Sequence, residues 1–276
     1  LVIPTKAPTY MINHPNKVIW LMHQHRAAYD LKNNASLFGL NTIEGGPDVI
    51  KKIERMDHAG ITEARQVFTI SQNVSARLKK YNSINSTPLY HPPGLAGRYY
   101  SETYGDYILS VGRLSSEKRV DLLIRALPYC DKKIRAVIAG RGPEQAQLQK
   151  MAEELNVADR VVFAGFVEDD ELLNLYANAL AVCFLPVDED YGYITLEAFL
   201  SKRPLLSCKD SGCVLEFAQQ EKSAFITEPD PKMLAEQMQR LYKNKNMARD
   251  MGHTGYEAVK DISWDTVIDE LTKTIR

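Results

Sequence analysis

Short apolar runs rich in β-branched residues alternate with longer amphipathic stretches along this chain. In its second part five such runs follow one another: YILSVG, IRAVIAG, VVFAGF, LAVCFLP and RPLLSC. The stretches between them, DLLIRALPYC, EQAQLQKMAEEL, DDELLNLYANA and YITLEAFL, repeat their apolar residues at helical spacing. Runs apolar on both faces belong to strands covered on both sides. The order βαβαβαβαβ therefore predicts an α/β fold, a parallel sheet with helices on both faces and right-handed crossovers. The first hundred residues are less regular. There LVIP, KVIWLMH, QVFTIS and TPLYH are strand candidates, with DVIKKIERMDHAG and NVSARLKKY helical between them. HPPGLAGRYYSETYGD, His91 to Asp106, is rich in Pro, Gly and Tyr and reads as a linker, with a domain boundary near residue 100. Past Asp230-Pro231 two amphipathic helices are expected, the last being SWDTVIDELTKTIR with Ser263 as its N-cap. Ser71 reads as a second N-cap, ahead of NVSARL.

With 276 residues, 45% of them hydrophobic, the chain can bury the cores of two domains. Its 34 basic and 35 acidic residues nearly cancel, which argues against nucleic acid as the main partner. Cys130, Cys183, Cys208 and Cys213 are scattered, so buried, reduced thiols are expected rather than a zinc site. No stretch has the apolar length of a membrane span, and no signal peptide is apparent. Leu1-Val2-Ile3-Pro4 reads as the interior of a domain, so an upstream segment is expected to be missing.

Candidate chemistry gathers where strands end. Glu189 lies on the acidic loop that follows LAVCFLP, and Glu197 about one turn into the next helix, with seven residues between them. Ligands of open α/β sheets bind in the crevice at that edge. Two carboxylates beside free helix N–H groups suit a ligand with hydroxyls at one end and phosphates in the middle, such as a nucleotide sugar. Arg113 follows the strand YILSVG at once, and Lys118 precedes the next helix, expected from about Val120. A bidentate guanidinium and a point charge there match a diphosphate, though either residue could equally be a solvated surface charge. Gly140-Arg141-Gly142-Pro143 is a βα turn, and its second reading is the border of a nucleobase site. Gly192, Tyr193 and Ile194 should open a helix whose free N–H groups form an anion site, unless Glu197 merely complements the dipole. His23 and His25 end KVIWLMHQH on one face of an extended chain, without a third metal ligand in view. No Ser–His–Asp arrangement follows from this order and spacing.

Taken in order, these segments resemble the retaining nucleotide-sugar glycosyltransferases of family four, the group 1 glycosyl transferases, which have the GT-B fold. YILSVGRLSSEKRVDLLIRAL looks like that family's strand–GR–x(4)–K–helix element, and AGRGPEQAQLQ like its G-x-G-P turn. VVFAGFVEDDELLNLYANALAVCFLPVDEDYGYITLEAFLSKRPLL looks like its longest signature, with Glu189 and Glu197 as the E-x(7)-E pair. KDSGCVLEF is similar to the glycine-containing loop that follows, and KVIWLMHQHRAAYDL and VFTISQNVSARL resemble the end of its N-terminal domain.

The resemblance implies two Rossmann-like parallel-sheet domains, the N-terminal one incomplete. Residues 1–100 would be the end of an acceptor-side domain, 101–257 the donor domain, and 258–276 a helix returning to the first, anchored by Trp264. It implies transfer of a sugar, with retention and without a metal, from a UDP- or GDP-sugar to an unknown acceptor hydroxyl. No cofactor is implied, since the nucleotide sugar is a substrate. Arg113 and Lys118 would bind the diphosphate, Glu197 the ribose hydroxyls and Glu189 the transferred sugar, with His23 facing that sugar across the cleft. Gly192, Tyr193, Ile194 and Gly140 would complete the donor site. A carbohydrate or lipid-linked acceptor and a place in the cytoplasm, or at the inner face of the membrane, are implied. Peripheral membrane association stays open, and the oligomeric state is undetermined.

Asp190, Cys213 and Ser223-Ala224 depart from the family pattern, which bears on donor identity more than on fold. The shortened N-terminal domain motivates an alternative, a nucleotide-sugar-binding module without turnover. A GT-B phosphorylase or epimerase is a further one. An incomplete sheet would also leave an unpaired edge and favour self-association.

Overall fold

In the computed structural model of the chain, which describes residues 1–35 and 38–273, KVIWLMH becomes strand β1 (Val18–Leu21), buried along its whole length. Helix α1 (Gly46–Thr62), strand β2 (Gln66–Thr69), helix α2 (Gln72–Asn82) and the two-residue strand β3 (Thr87–Pro88) follow. These strands form one parallel sheet, β1-β2-β3. LVIP does not form the expected strand: only Val2 bridges, to Lys17. Pro4 has no N–H to offer a ladder. The segment instead lies along β1 as an acceptor, taking Val18 N on Val2 O at 3.1 Å and Trp20 N on Pro4 O at 3.0 Å. Ser71 caps α2, accepting from Val74 N at 3.1 Å.

The second part is more regular. In order come β4 (Tyr107–Val111), α3 (Val120–Ala126), β5 (Arg135–Ala139), α4 (Gln145–Glu154), β6 (Val161–Gly165), α5 (Asp169–Asn178) and β7 (Ala181–Cys183). Then follow α6 (Tyr193–Leu200), β8 (Leu205–Cys208), α7 (Val214–Phe217), β9 (Ala224–Thr227), α8 (Pro231–Lys243), α9 (Lys245–Val259) and α10 (Trp264–Thr272). The sheet therefore has six parallel strands, where five were expected. The extra one, β9, is only AFIT, too short to stand out after the charged stretch QQEKS. Three helices, not two, follow Asp230. Asn244 makes the difference: it leaves the helical conformation and caps α9 by accepting from Met247 N at 3.0 Å. Ser263 caps α10 by accepting from Thr266 N at 3.2 Å. The last three residues of that helical stretch lie outside the described ones.

Two units result: Leu1–His91 with Ile262–Arg276, and Pro92–Asp261. The core of the second includes Leu123, Ile138, Leu180, Leu206 and Met238, all fully buried. In the first, α10 turns Val267 and Leu271 inward, and Trp264 packs edge-on against Trp20 at 6.0 Å between ring centroids. Arg203 fixes the start of the second unit. Wholly buried, it donates to the carbonyls of Ser201, Thr103 and Ala179 at 2.7–2.9 Å and to Ser101 Oγ, and stacks on Tyr104. Among the described residues no helix is long and apolar enough to cross a membrane.

The six strands lie in the order β6-β5-β4-β7-β8-β9. The chain winds from β4 outward through β5 and β6, then returns beside β4 and winds the other way. Loops leaving β4 and β7 consequently diverge and open a crevice at the carboxyl edge of the sheet.

Candidate functional site

The loop after β4 carries the two candidate cations. Arg113 is exposed, and its guanidinium has no hydrogen-bond or ion-pair partner among the described residues. Lys118 ends a short 3-10 turn, just before α3. Its ammonium pairs with the Glu189 carboxylate and sits 5.5 Å from the centre of the Phe184 ring. Both partners are about three-quarters buried, with 24% and 22% of their side chains exposed.

The loop after β7 is stitched down on two sides. Val187 N donates to Glu117 O at 2.9 Å and Asp188 N to Asp210 O at 2.8 Å, while Cys213 N donates to Glu189 O at 2.9 Å. Arg119 clamps its beginning. This side chain donates to Leu185 O at 2.7 Å and Pro186 O at 3.0 Å, and takes Asp210 with two bonds of 2.7 and 2.9 Å. A backbone held this way presents Glu189 to Lys118 in one register.

Helix α6 begins at the same edge. Gly192 precedes it in the left-handed region, at φ +72°. A Cβ there would meet Val214 Cγ2 at 3.2 Å and Phe184 Cε1 at 3.3 Å, so the position suits glycine on both counts. Gly192 has no side chain with which to cap the helix, and Thr195 N donates to Gly192 O at 2.9 Å. Tyr193 is exposed, and Ile194 reaches over Gly112 at the end of β4. Gly140 follows β5 at φ +137°, and a Cβ on it would meet the Gly112 carbonyl at 1.9 Å. Gly112 N donates to Ala139 O at 3.0 Å and Leu114 N to Arg141 O at 3.1 Å, so the β4 and β5 loops run side by side.

Glu197 lies one turn into α6, half-buried. Tyr176 of α5, completely buried, donates its hydroxyl to Glu197 Oε2 at 2.6 Å. Tyr99 stands edge-on to Tyr176 at 6.0 Å, and its hydroxyl is buried beside the same carboxylate outside hydrogen-bond geometry. Burial pushes the Glu197 carboxyl above its ordinary value, and the Tyr176 and Tyr99 phenols pull it part of the way back.

Arg113, Lys118, Glu189, Gly192, Tyr193, Ile194 and Glu197 thus gather at the ends of two adjacent strands, with Gly140 on the neighbouring loop. His23 belongs to the other unit, after β1, where its Nδ1 donates to Gln24 O at 2.9 Å. The four cysteines are buried and form no disulfide, and among the described residues no three potential ligands gather for a metal. Tyr176, Phe184 and Arg119 escaped sequence reasoning. Arg119 had a visible signal in its place beside Lys118. Tyr176 had none, because its contact joins two helices 21 residues apart.

The sequence profile of the family described as glycosyl transferases group 1 matches residues 101–258. An uncharacterized glycosyltransferase of Methanocaldococcus jannaschii is 31% identical over 172 residues, which is 59% of this chain and 43% of that protein. The GDP-mannose-dependent alpha-(1-6)-phosphatidylinositol monomannoside mannosyltransferase of Mycobacterium tuberculosis is 29% identical over 181 residues, 61% of this chain and 47% of that one. The solved structure of Anabaena HepE in complex with UDP is similar at a TM-score of 0.76 and 17% identity, over 94% of this chain and 72% of that one. The chain spans less than half the length of the two curated relatives. The structural likeness gives the fold class: α/β, GT-B type, with Rossmann-like parallel sheets. With the profile running through nearly the whole six-stranded unit, the chain belongs to the group 1 glycosyl transferases.

Proposed function

We propose that the crevice at the β4/β7 edge is the donor site of a retaining glycosyltransferase that uses a nucleoside-diphosphate sugar. The observation that carries this reading is the meeting of Arg113, Lys118 and the start of α6 where the strand order reverses. Two relatives support the ligand class: HepE was solved in complex with UDP, and the mycobacterial enzyme is named for GDP-mannose. Arg113, Lys118 and the α6 N–H groups bind the diphosphate. Glu197 accepts from the ribose hydroxyls through the oxygen that Tyr176 leaves, and Glu189 holds hydroxyls of the transferred sugar.

In the reaction the bond between the anomeric carbon and the β-phosphate oxygen breaks, and a bond to the acceptor oxygen forms on the same face. The acceptor proton passes to the departing phosphate oxygen, so no protein base is required. Negative charge growing on the diphosphate meets donors already in place, which lowers the barrier without a metal. Acceptor oxygens of a carbohydrate or a lipid-linked sugar fit this chemistry. Arg113→Ala is expected to weaken UDP or GDP binding by roughly 10- to 100-fold and the parent nucleoside hardly at all. Calorimetric titration of both ligands checks this, and equal losses reject the diphosphate role.

A further inference from the structure

The geometry points to Tyr176 as a positioning residue of the donor site, whose hydroxyl holds the Glu197 carboxylate in the orientation that receives the ribose. This inference rests on the assignment of Glu197 to the ribose under the proposed function. Tyr176 is wholly buried on α5, and a buried phenol needs an acceptor. It finds one on the next helix, at Glu197 Oε2. The 2.6 Å separation is that of a hydroxyl donating to a charged oxygen. With Oε2 held by the phenol, the orientation of the half-buried carboxylate is fixed and Oε1 is left to accept from a ligand. Without the bond, its side chain would regain rotamers and would aim at the crevice only part of the time.

Tyr99 supplies an internal contrast. Its ring packs on Tyr176 and its hydroxyl is buried near the same carboxylate, which it also pulls down, but outside the geometry of a well-formed hydrogen bond. Removing it changes ring surroundings only slightly and leaves the Tyr176–Glu197 bond in place. The groups facing Glu197 are these two phenols, from α5 and from the segment before β4, and Tyr193 of its own helix. All three phenols lie above their ordinary value, so the carboxylate is the group among them that titrates in the acid range.

The test titrates UDP, GDP and inorganic pyrophosphate into the chain and three variants, Tyr176→Phe, Tyr99→Phe and Glu197→Gln. Tyr176→Phe is expected to weaken the nucleoside diphosphates about tenfold and pyrophosphate not at all. Tyr99→Phe should weaken them much less. Combining Tyr176→Phe with Glu197→Gln should be no worse than Glu197→Gln alone, since both remove one coupled contact. In the wild type, affinity for the nucleotide falls as pH drops and Glu197 takes up its proton. The phenol bond favours the anion, so in Tyr176→Phe that fall should begin at higher pH. If Tyr176→Phe binds nucleotides as the wild type does while Glu197→Gln loses them, the positioning role is wrong and the ribose reading stands. If Tyr176→Phe loses pyrophosphate equally, its role is structural and the inference fails. If Glu197→Gln binds nucleotides unchanged, the ribose reading fails and the inference with it.

Discussion

Lys118 and Glu189 occupy each other before any ligand arrives. The cation assigned to the diphosphate already neutralises the acid assigned to the sugar. A pair this shielded is worth more than an exposed one, and a diphosphate must compete for the ammonium. Glu189→Gln removes the competitor. The expected outcome is UDP or GDP affinity equal to or higher than that of the wild type, with sugar transfer reduced. Isothermal titration with the bare nucleotide and a transfer assay with the matching sugar donor measure the two halves. Lower affinity for the bare nucleotide in Glu189→Gln would show that the acid aids diphosphate binding. The places of the two carboxylates, one on a loop and one on a helix, were readable from the sequence. Their partners were not, since the E-x(7)-E spacing says nothing about Lys118 or Tyr176 coming to meet them.

Helix α10 is an element whose packing carries its own pH dependence. Its Trp264 sits 5.5 Å from His91 and 6.0 Å from Trp20, and Trp20 is 5.0 Å from His91, all between ring centroids. Burial in this cluster pushes the His91 imidazole down from 6.5 to about 4. The unfolded chain therefore takes up the proton first, and the folded form resists it. The contribution to stability is complete above pH 6.5 and is lost as pH falls toward 4. Its full size is about 3 kcal/mol by linkage. Urea unfolding followed by tryptophan emission should show this loss between those pH values, and His91→Gln should flatten it. An unchanged slope in that variant would assign the acid sensitivity to other groups. Trp264 was readable as a large aromatic on an amphipathic helix, whereas His91 read only as the end of a short strand and the start of a linker.

At the scale of the whole molecule, the two tryptophans both lie in the first unit, while the proposed donor site lies in the second. Tryptophan emission thus reports one unit and far-UV circular dichroism both. A nucleotide at one hundred times its dissociation constant adds about 2.7 kcal/mol to the unit that binds it. UDP or GDP is expected to raise the melting transition seen by circular dichroism more than the one seen by tryptophan emission. Identical shifts by both probes would mean that the units unfold as one.

Local pattern was enough for most elements, because a strand or helix announces its buried face within a few residues. YITLEAFL became α6 with the limits its spacing predicts, and YILSVG, IRAVIAG and VVFAGF became neighbouring strands. The weak cases were short or broken by one polar residue: AFIT, Asn244, and LVIP with its proline. Strand-end cations, the glycine before α6 and the carboxylate pair were also legible, since connectivity alone places them at a sheet edge. The tertiary structure decided the rest. It set β7 beside β4, and so created the crevice at the strand-order reversal. It also brought Lys118 to Glu189, Arg119 to Asp210 and Tyr176 to Glu197. Each of those contacts joins residues from separate elements, and only the packing of a whole sheet with its helices determines such distances.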